Sequence, residues 1–339
     1  MILREMPALW DESFRTWFYS RWGRENCVIA ARARSAEYPE YQQRLSIKAA
    51  WGGHEDYFVD GRRIAVDDET FLILNDGRTY SSALRARTPM TSFSVFFRPG
   101  MAEDVACTLA DSQESRLEGP QTHLDSPIEF SEHLRRHDRH VTPVLRFILR
   151  HVEAGITDEG WYEDQLYFLL QRMLAVHRRD HGVTALIPAK RAATRRELFR
   201  RVGLATDFIN MNFAAPMDLQ QIAAAARLSP FHCLRVFKSV LGVTPTTYLN
   251  QRRVQTAQRL LQVSKRSVTE VASLVGFQTR STLFRWMKRL SGAPPRAVHT
   301  HESQAPTDQP LPVLPVLPVP SRHSPTQRRV PRREAWVAP

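Results

Sequence analysis

Cysteine is scarce: Cys27, Cys107 and Cys233 are the only three in 339 residues, too few and too scattered for a disulfide framework or a four-thiolate zinc site. That usage fits a reducing compartment, and a cytoplasmic protein is expected. Glycine is sparse as well, and the 14 glycines include no Gly-Lys-Ser or Gly-Lys-Thr phosphate loop. No uncharged stretch approaches the roughly 18 residues of a membrane span. Met1 to Phe14 carries Arg4, Glu5, Asp11 and Glu12 where a leader would be apolar. Catalytic patterns are missing too. His54-Glu55 starts like a zinc-protease motif but is followed by Asp56-Tyr57-Phe58, without a second histidine at the required spacing. The spaced His/His/Glu set of a metal-binding cupin and a Ser/His/Asp constellation are also wanting. No enzyme, cofactor or metal site is expected.

Acidic residues almost vanish from one stretch. The chain carries a formal charge of +12, yet residues 218–300 hold 13 Lys and Arg against 2 Asp and Glu, whereas residues 1–217 hold 29 against 30. A short block this basic repels itself unless it meets a polyanion, and duplex DNA offers about one phosphate charge per 1.7 Å of axis. Double-stranded DNA is therefore the leading partner.

The length suits two domains. Between Leu45 and Phe97, short strand candidates are separated by turn signals such as Asp60-Gly61 and Asn75-Asp76-Gly77. They are Leu45–Trp51, Tyr57–Val59, Arg62–Val66, Thr70–Leu74 and Thr91–Phe97, at the spacing of a barrel or sandwich. Beyond Pro127 the apolar period becomes helical, through Leu134, Leu145, Ile148 and Val152, then Leu166, Leu169, Leu170, Met173 and Leu174. Those apolar stripes predict a homodimer. His133, His137 and His140 are expected as exposed histidines on a charged helix, since Arg135, Arg136 and Arg139 would repel a metal cation. After a linker at Pro188, a helix over Thr194–Asn212 leads into the basic block. The proline-rich residues 301–339 are expected to be a disordered tail.

The basic block contains an internal repeat. Leu219, Ile222, Ala223, Ala226 and Leu228 recur 49 positions later as Val268, Val271, Ala272, Val275 and Phe277. After one inserted residue, Arg235, Phe237, Lys238, Gly242 and Pro245 recur 50 positions later as Arg285, Met287, Lys288, Gly292 and Pro295. Each copy reads as a short helix, a turn and a second helix whose polar positions would face a major groove, the layout of a helix-turn-helix. Ser229 suits the cap of the first copy's second helix, with Pro230 in its first turn. Cys233 lies on that helix as a small core residue. Between the copies, Pro245–Leu261 reads as a rigid spacer helix.

Through Ser229-Pro-Phe-His-Cys-Leu-Arg-Val-Phe-Lys238, Gly242-Val-Thr-Pro245 and Val271-Ala272 with Gly276-Phe277, residues 194–299 resemble the AraC/XylS family of transcriptional regulators. The resemblance implies an α+β chain: an N-terminal cupin-like β-barrel followed by helices, and a C-terminal all-α domain with two helix-turn-helix units. The expected divisions are residues 1–187 for an effector and dimerisation domain, with β part 40–125 and helices 128–182. The DNA-binding domain takes 194–300, with units at 219–242 and 268–292.

Carried over by position, the base-reading candidates are Phe231, Leu234 and Arg235 in the first unit, and Arg280, Ser281, Phe284 and Arg285 in the second. Arginines can pair bidentately with guanine, and apolar faces suit thymine methyl groups. Lys238, Arg252, Arg253 and Lys288 are expected on phosphates. Surface ion pairs for Arg235 and Arg285, and a core position for Phe231, remain the alternatives. Met287 stands where the family has phenylalanine, and Ala293-Pro-Pro-Arg-Ala-Val-His299 lacks the usual aromatic-basic ending. Trp51, His54, Tyr57 and Tyr80, with Asn75, are candidates to line an effector pocket, although they equally suit ordinary barrel packing. The expected function is sequence-specific transcriptional regulation that recruits or blocks RNA polymerase under a small-molecule effector. A cupin-type metal enzyme tethered to DNA, and a regulator sensing a protein partner, are the alternatives.

Overall fold

The computed structural model describes residues 1–114, 127–264 and 266–291. The proline-rich tail expected at 301–339 and the closing segment 293–299 lie outside the described residues.

Two long antiparallel strands organise the N-terminal part: β2 (Cys27–Gln42) and β7 (Thr79–Phe96). Their register shifts between Ala33 and Ser35 and again between Tyr38 and Tyr41, so each strand serves two half-sheets. β1 (Ile2–Leu3) adds in parallel to β2. On its other edge β7 holds β3 (Ser46–Trp51) through Thr91–Phe96, and β4 (His54–Val59) through Tyr80–Leu84. β3 continues to β6 (Thr70–Leu74) and then to β8 (Arg135–Arg136), while β4 forms a hairpin with β5 (Arg62–Asp67). The path β1-β2-β7-β3-β6-β8 ends in two separate edges, so the sheet is open and the expected closed barrel is corrected to a folded, two-halved sheet.

Period-two patterning sorts the residues of this sheet. Ile47, Ala49, Phe71, Ile73, Phe93 and Val95 face α3 (Thr142–Glu153) and α4 (Glu159–Ala185), where Leu145, Ile148, Leu166 and Leu169 complete the core. Ala50, Leu72 and Leu74 share the opposite face with Tyr57, Val59, Ile64 and Val66 of the β4–β5 hairpin. Each buried valine, leucine, isoleucine or phenylalanine among them contributes about 1.5–3 kcal/mol.

Several expectations are corrected. The sheet begins well before residue 40, because β2 opens at Cys27, and α2 (Met101–Glu114) lies inside the stretch assigned to strands. α1 (Glu12–Arg21), capped by the Asp11 carboxylate accepting from Phe14 N at 2.7 Å, was not anticipated. The helix expected from residue 128 starts only at Thr142. Before it, the Asp138 carboxylate accepts from the His140 and Val141 amides and turns the chain. His133, His137 and His140 therefore do not share a helix face; His137 stacks instead on Trp51, ring centroids 5.9 Å apart.

The helices α5 (Ala192–Asn212), α6 (Leu219–Ala225), α7 (Pro230–Leu241), α8 (Pro245–Val263), α9 (Val268–Leu274) and α10 (Arg280–Ser291) form the C-terminal part. Two apolar clusters hold it, one built on α5, α6 and α7 and the other on α8, α9 and α10. Gly276, at φ +87°, lets the turn after α9 approach Ala214, whose carbonyl oxygen would stand 2.5 Å from an added Cβ.

Buried polar contacts join the two parts. The Leu134 amide donates to Asp207 of α5 at 2.7 Å, and Arg62 stands 3.6 Å from the same carboxylate. Burial pushes the Asp207 carboxyl up to about 7, against the Leu134 hydrogen bond and Arg62, which pull it down. The folded chain then holds a proton that the unfolded chain, with an ordinary pKa of about 4, has released. The associated stability is full below about pH 4 and is lost as pH rises through about 7. Asp207→Asn keeps an acceptor for Leu134 and is expected to flatten that part of the stability-pH profile, read by urea unfolding between pH 5 and 8. An unchanged slope would show that Asp207 is ionised throughout.

Candidate nucleic-acid interface

Each helix of the two helix-turn-helix units is started by local chemistry. Asp218 and Gln221 form a capping box at α6, and Ser267 and Glu270 form one at α9. Ser229 accepts from the His232 amide at α7, with Pro230 in the first turn, and Thr279 accepts from the Thr282 amide at 3.2 Å before α10. Gly242 ends α7 in the left-handed conformation at φ +72°, its amide bonded to the Lys238 carbonyl.

Helical periodicity then divides α7 and α10 into two faces. Cys233, Val236 and Phe237 of α7 are buried against α5 and α6. Phe231, 75% exposed, lies with Arg235 and Lys238 on the outer side, and Leu234 is half-buried between them. In α10, Leu283 and Met287 are buried with Val271, Ala272 and Val275. Arg280, Ser281, Arg285 and Lys288 are exposed, and Phe284 is half-buried with the Arg280 guanidinium 5.6 Å from its ring centre. The candidate base readers thus share one face in each unit. Arg235, Lys238, Arg280, Arg285 and Lys288 form no ion pair with a carboxylate among the described residues, so their charge is available to an external polyanion.

The two remaining phosphate candidates behave otherwise. Arg252 is 1% exposed, its guanidinium 2.7 Å from Asp67 and 3.0 Å from Glu69, and it lies over the Phe213 ring. Arg253 donates to the Phe213 carbonyl at 2.7 Å and the Ala215 carbonyl at 2.9 Å. Both face inward from α8 and are corrected from phosphate contacts to internal fasteners. Arg259, one helical stretch further, binds Asp68 and Glu69. This acidic turn, Asp67-Asp68-Glu69, has no part in the sequence-based expectations; three consecutive acids between two strands are the signal the chain offers.

The effector candidates separate as well. Tyr57 and Tyr80 meet edge to face at 5.9 Å on the inner side of the sheet. Trp51 belongs to the His137 stack, and His54 is exposed at the start of β4, so neither joins them. Asn75 instead ties its turn to Phe130 and Glu132. What accompanies the tyrosines is a buried Lys48, its Nζ 3.5 Å from the Phe96 ring centre, and Glu55, which accepts from Ser92 at 2.7 Å. Burial lowers the Lys48 ammonium and raises the Glu55 carboxyl. A lone lysine in the apolar run Ser46–Trp51 was the available signal. The free space there is only about 40 Å³, room for ordered water and not for a metabolite.

Residues 222–301 match the family model described as a helix-turn-helix domain. The C-terminal unit is a helix-turn-helix domain of the AraC/XylS type. Its curated relatives include the bifunctional transcriptional activator/DNA repair enzyme AdaA of Bacillus subtilis, 30% identical over 94 residues, covering 28% of this chain and 44% of that protein. Another is the HTH-type transcriptional regulator YdeC of the same organism, 37% identical over 75 residues, covering 22% of this chain and 26% of that protein. The chain therefore spans less than half the length of either. Among solved structures, the DNA-binding domain of AdpA in complex with a target DNA is 31% identical, covering 30% of this chain and 90% of that one, with a TM-score of 0.29. No helix among the described residues is long and apolar enough to cross a membrane.

In this AraC/XylS-type domain, outward and inward cations should respond differently to mutation. Lys238→Gln is expected to lower the salt slope of DNA binding by about one and to leave stability within about 0.5 kcal/mol. Arg252→Gln is expected to leave the slope unchanged while destabilising the fold by about 3 kcal/mol, because Asp67 and Glu69 lose their buried partner. Paired salt titrations and urea unfolding read both quantities. A reduced slope for Arg252→Gln would restore it to the phosphate contacts.

Proposed function

We propose that the protein is a sequence-specific, DNA-binding transcriptional regulator of the AraC type, acting in the cytoplasm on promoter DNA and either recruiting or blocking RNA polymerase. The observation that carries this reading is the pair of helices α7 and α10, each with a buried apolar side and an outer side of arginine, lysine and apolar groups without internal counter-charge. α8 spans the distance between them and has its own arginines fastened inward, so the two outer faces are presented by one rigid frame. Such a frame suits successive major grooves on one side of a duplex, about 34 Å apart.

Phe231, Leu234 and Arg235 would then read bases in one groove, and Arg280, Ser281, Phe284 and Arg285 in the next, with Lys238 and Lys288 on the flanking phosphates. The N-terminal part, a cupin-like module in open form, would supply control by a small molecule and dimerisation. The aromatic group of Phe147, His151 and Trp161 on α3 and α4 supports a homodimer: Phe147 is 38% exposed and its ring lies 5.5 Å from Trp161. Large aromatics left at a surface are common at interfaces.

Mapping the sites occupied across the genome, then measuring affinity for the best site, tests this function. Two sequence blocks about one helical turn apart are expected. Arg235→Ala should relax specificity in one block and Arg285→Ala in the other, each at a cost of about 1–3 kcal/mol. Occupancy without a shared motif, unaffected by both variants, would reduce the domain to a backbone binder and overturn the proposal.

A further inference from the structure

One flank of α1 carries aromatic rings left at the surface. Phe18 points down, stacked on Trp22 at 4.9 Å, and Trp22 meets Phe96 of the sheet edge to face. Phe14 and Trp17, on the adjoining flank, lie 5.6 Å apart ring to ring. Trp17 is 40% exposed, and Trp10, one residue before the cap Asp11, is 82% exposed. Spacings of three and four residues set Phe14, Trp17 and Arg21 in one row along α1, with Trp10 just beyond its start. The Arg21 guanidinium lies 5.5 Å from the Trp17 ring centre. Scattered apolar residues at a surface are ordinary, but a row of large aromatic rings marks a contact surface.

Beside these rings the charge is negative. Glu5, Asp11 and Glu12 are exposed and form no ion pair among the described residues. The neighbouring Arg15 is turned to the Leu9 carbonyl at 3.5 Å, and Arg21 to Glu25 at 3.6 Å. The chain carries a segment that answers both features. Leu311-Pro-Val313, Leu314-Pro-Val316 and Leu317-Pro-Val319 repeat one triplet between Pro310 and Pro320, and Arg322, Arg328 and Arg329 follow. A polyproline II helix has about three residues per turn, so the repeat gives separate ridges of leucine, proline and valine. Proline ridges dock on aromatic rows in a preformed extended shape, with little conformational entropy left to lose. One triplet advances about 9.3 Å, close to the roughly 10 Å from Trp10 to Trp17 at helical rise.

We propose that the Pro310–Pro320 segment folds back within the same chain onto the Trp10, Phe14 and Trp17 row. It runs antiparallel to α1, with Pro315 and Pro318 on Trp17 and Trp10, so that the arginines after it reach Asp11 and Glu12. Residues 292–309 join the end of α10 to the segment. Fully extended they span up to about 60 Å, more than the roughly 50 Å breadth of a compact chain of this length. Their root is held close to the sheet, because α10 packs on α8 and the Arg252 clasp fastens α8 to Asp67 and Glu69. The tether gives the segment an effective concentration of about a millimolar at α1, so a single aromatic row with flanking charge suffices to hold it. The contact is independent of what the two reading helices do with DNA.

Photo-cross-linking of the full chain with benzoylphenylalanine in place of Val316 tests the fold-back, the adduct being mapped by peptide mass spectrometry. Adducts within residues 10–21 are expected without a covalent dimer, at a yield unchanged over an about hundredfold dilution, as an intramolecular contact requires. The double variant Trp10→Ala/Trp17→Ala should cut that yield by at least about threefold, since exposed tryptophans carry much of such a contact. Leu314→Ser/Leu317→Ser should cut it by a similar factor. This second variant changes only the tail and keeps the wild-type thermal transition, so its result stands even where the tryptophan variant folds poorly. Absence of any adduct, adducts elsewhere on the chain, covalent dimers that vanish on dilution, or a yield that the tail variant leaves intact would overturn the proposal.

Discussion

Arg252 is the point on which the arrangement turns. A guanidinium 1% exposed can persist only where its charge is answered, and here Asp67 and Glu69 answer it at 2.7 and 3.0 Å. Arg259 repeats the contact further along α8 with Asp68 and Glu69. One acidic turn between β5 and β6 thereby fixes the helix that spaces the two reading units. An incomplete buried pair costs more than a complete one contributes, so the clasp gains its effect less from net stability than from forbidding other placements of α8. The position of both outer faces follows from it.

The same accounting explains how one basic block does two jobs. Cations pointing inward are consumed: Arg252 and Arg259 by the acidic turn, Arg253 by the Phe213 and Ala215 carbonyls. Cations pointing outward from α7 and α10 are left without carboxylates, which is a cost to the isolated chain and an advantage beside phosphate. Between the two parts of the chain, Arg136 is half-buried with its Nε unpartnered, and Arg172 is half-buried over the Phe168 ring. Each set occupies a different environment, and environment rather than residue type assigns its work.

Much of the C-terminal part was legible because its signals are local. Caps at Ser229 and Ser267, the proline at 230 and the glycine at 242 punctuate the helices within a few residues of chain. The 49-residue repeat preserves the alternation of apolar and polar positions that places Phe231, Arg235, Arg280 and Arg285 outward. Strands β3, β5 and β6 were legible for a similar reason, their period-two runs being bounded by turn residues. β2 was not: its apolar opening Cys27-Val-Ile-Ala-Ala31 gives way to charged residues and Pro39, a pattern without steady alternation. Pro39 is tolerated because it falls within the register shift between Tyr38 and Tyr41.

Sequence by itself determined the helix-turn-helix repeat, the outward face of each reading helix and the concentration of positive charge, since these depend on neighbours three, four or seven residues away. Tertiary structure alone decided that the sheet stays open, that Arg252 and Arg253 turn inward, and that Tyr57 and Tyr80 meet Lys48 while Trp51 and His54 do not. Those outcomes rest on contacts between residues up to 191 positions apart, as with Arg259 and Asp68. Burial and ion pairing at that range carry no periodic trace in the chain, because a buried arginine and an exposed one are written with the same letter.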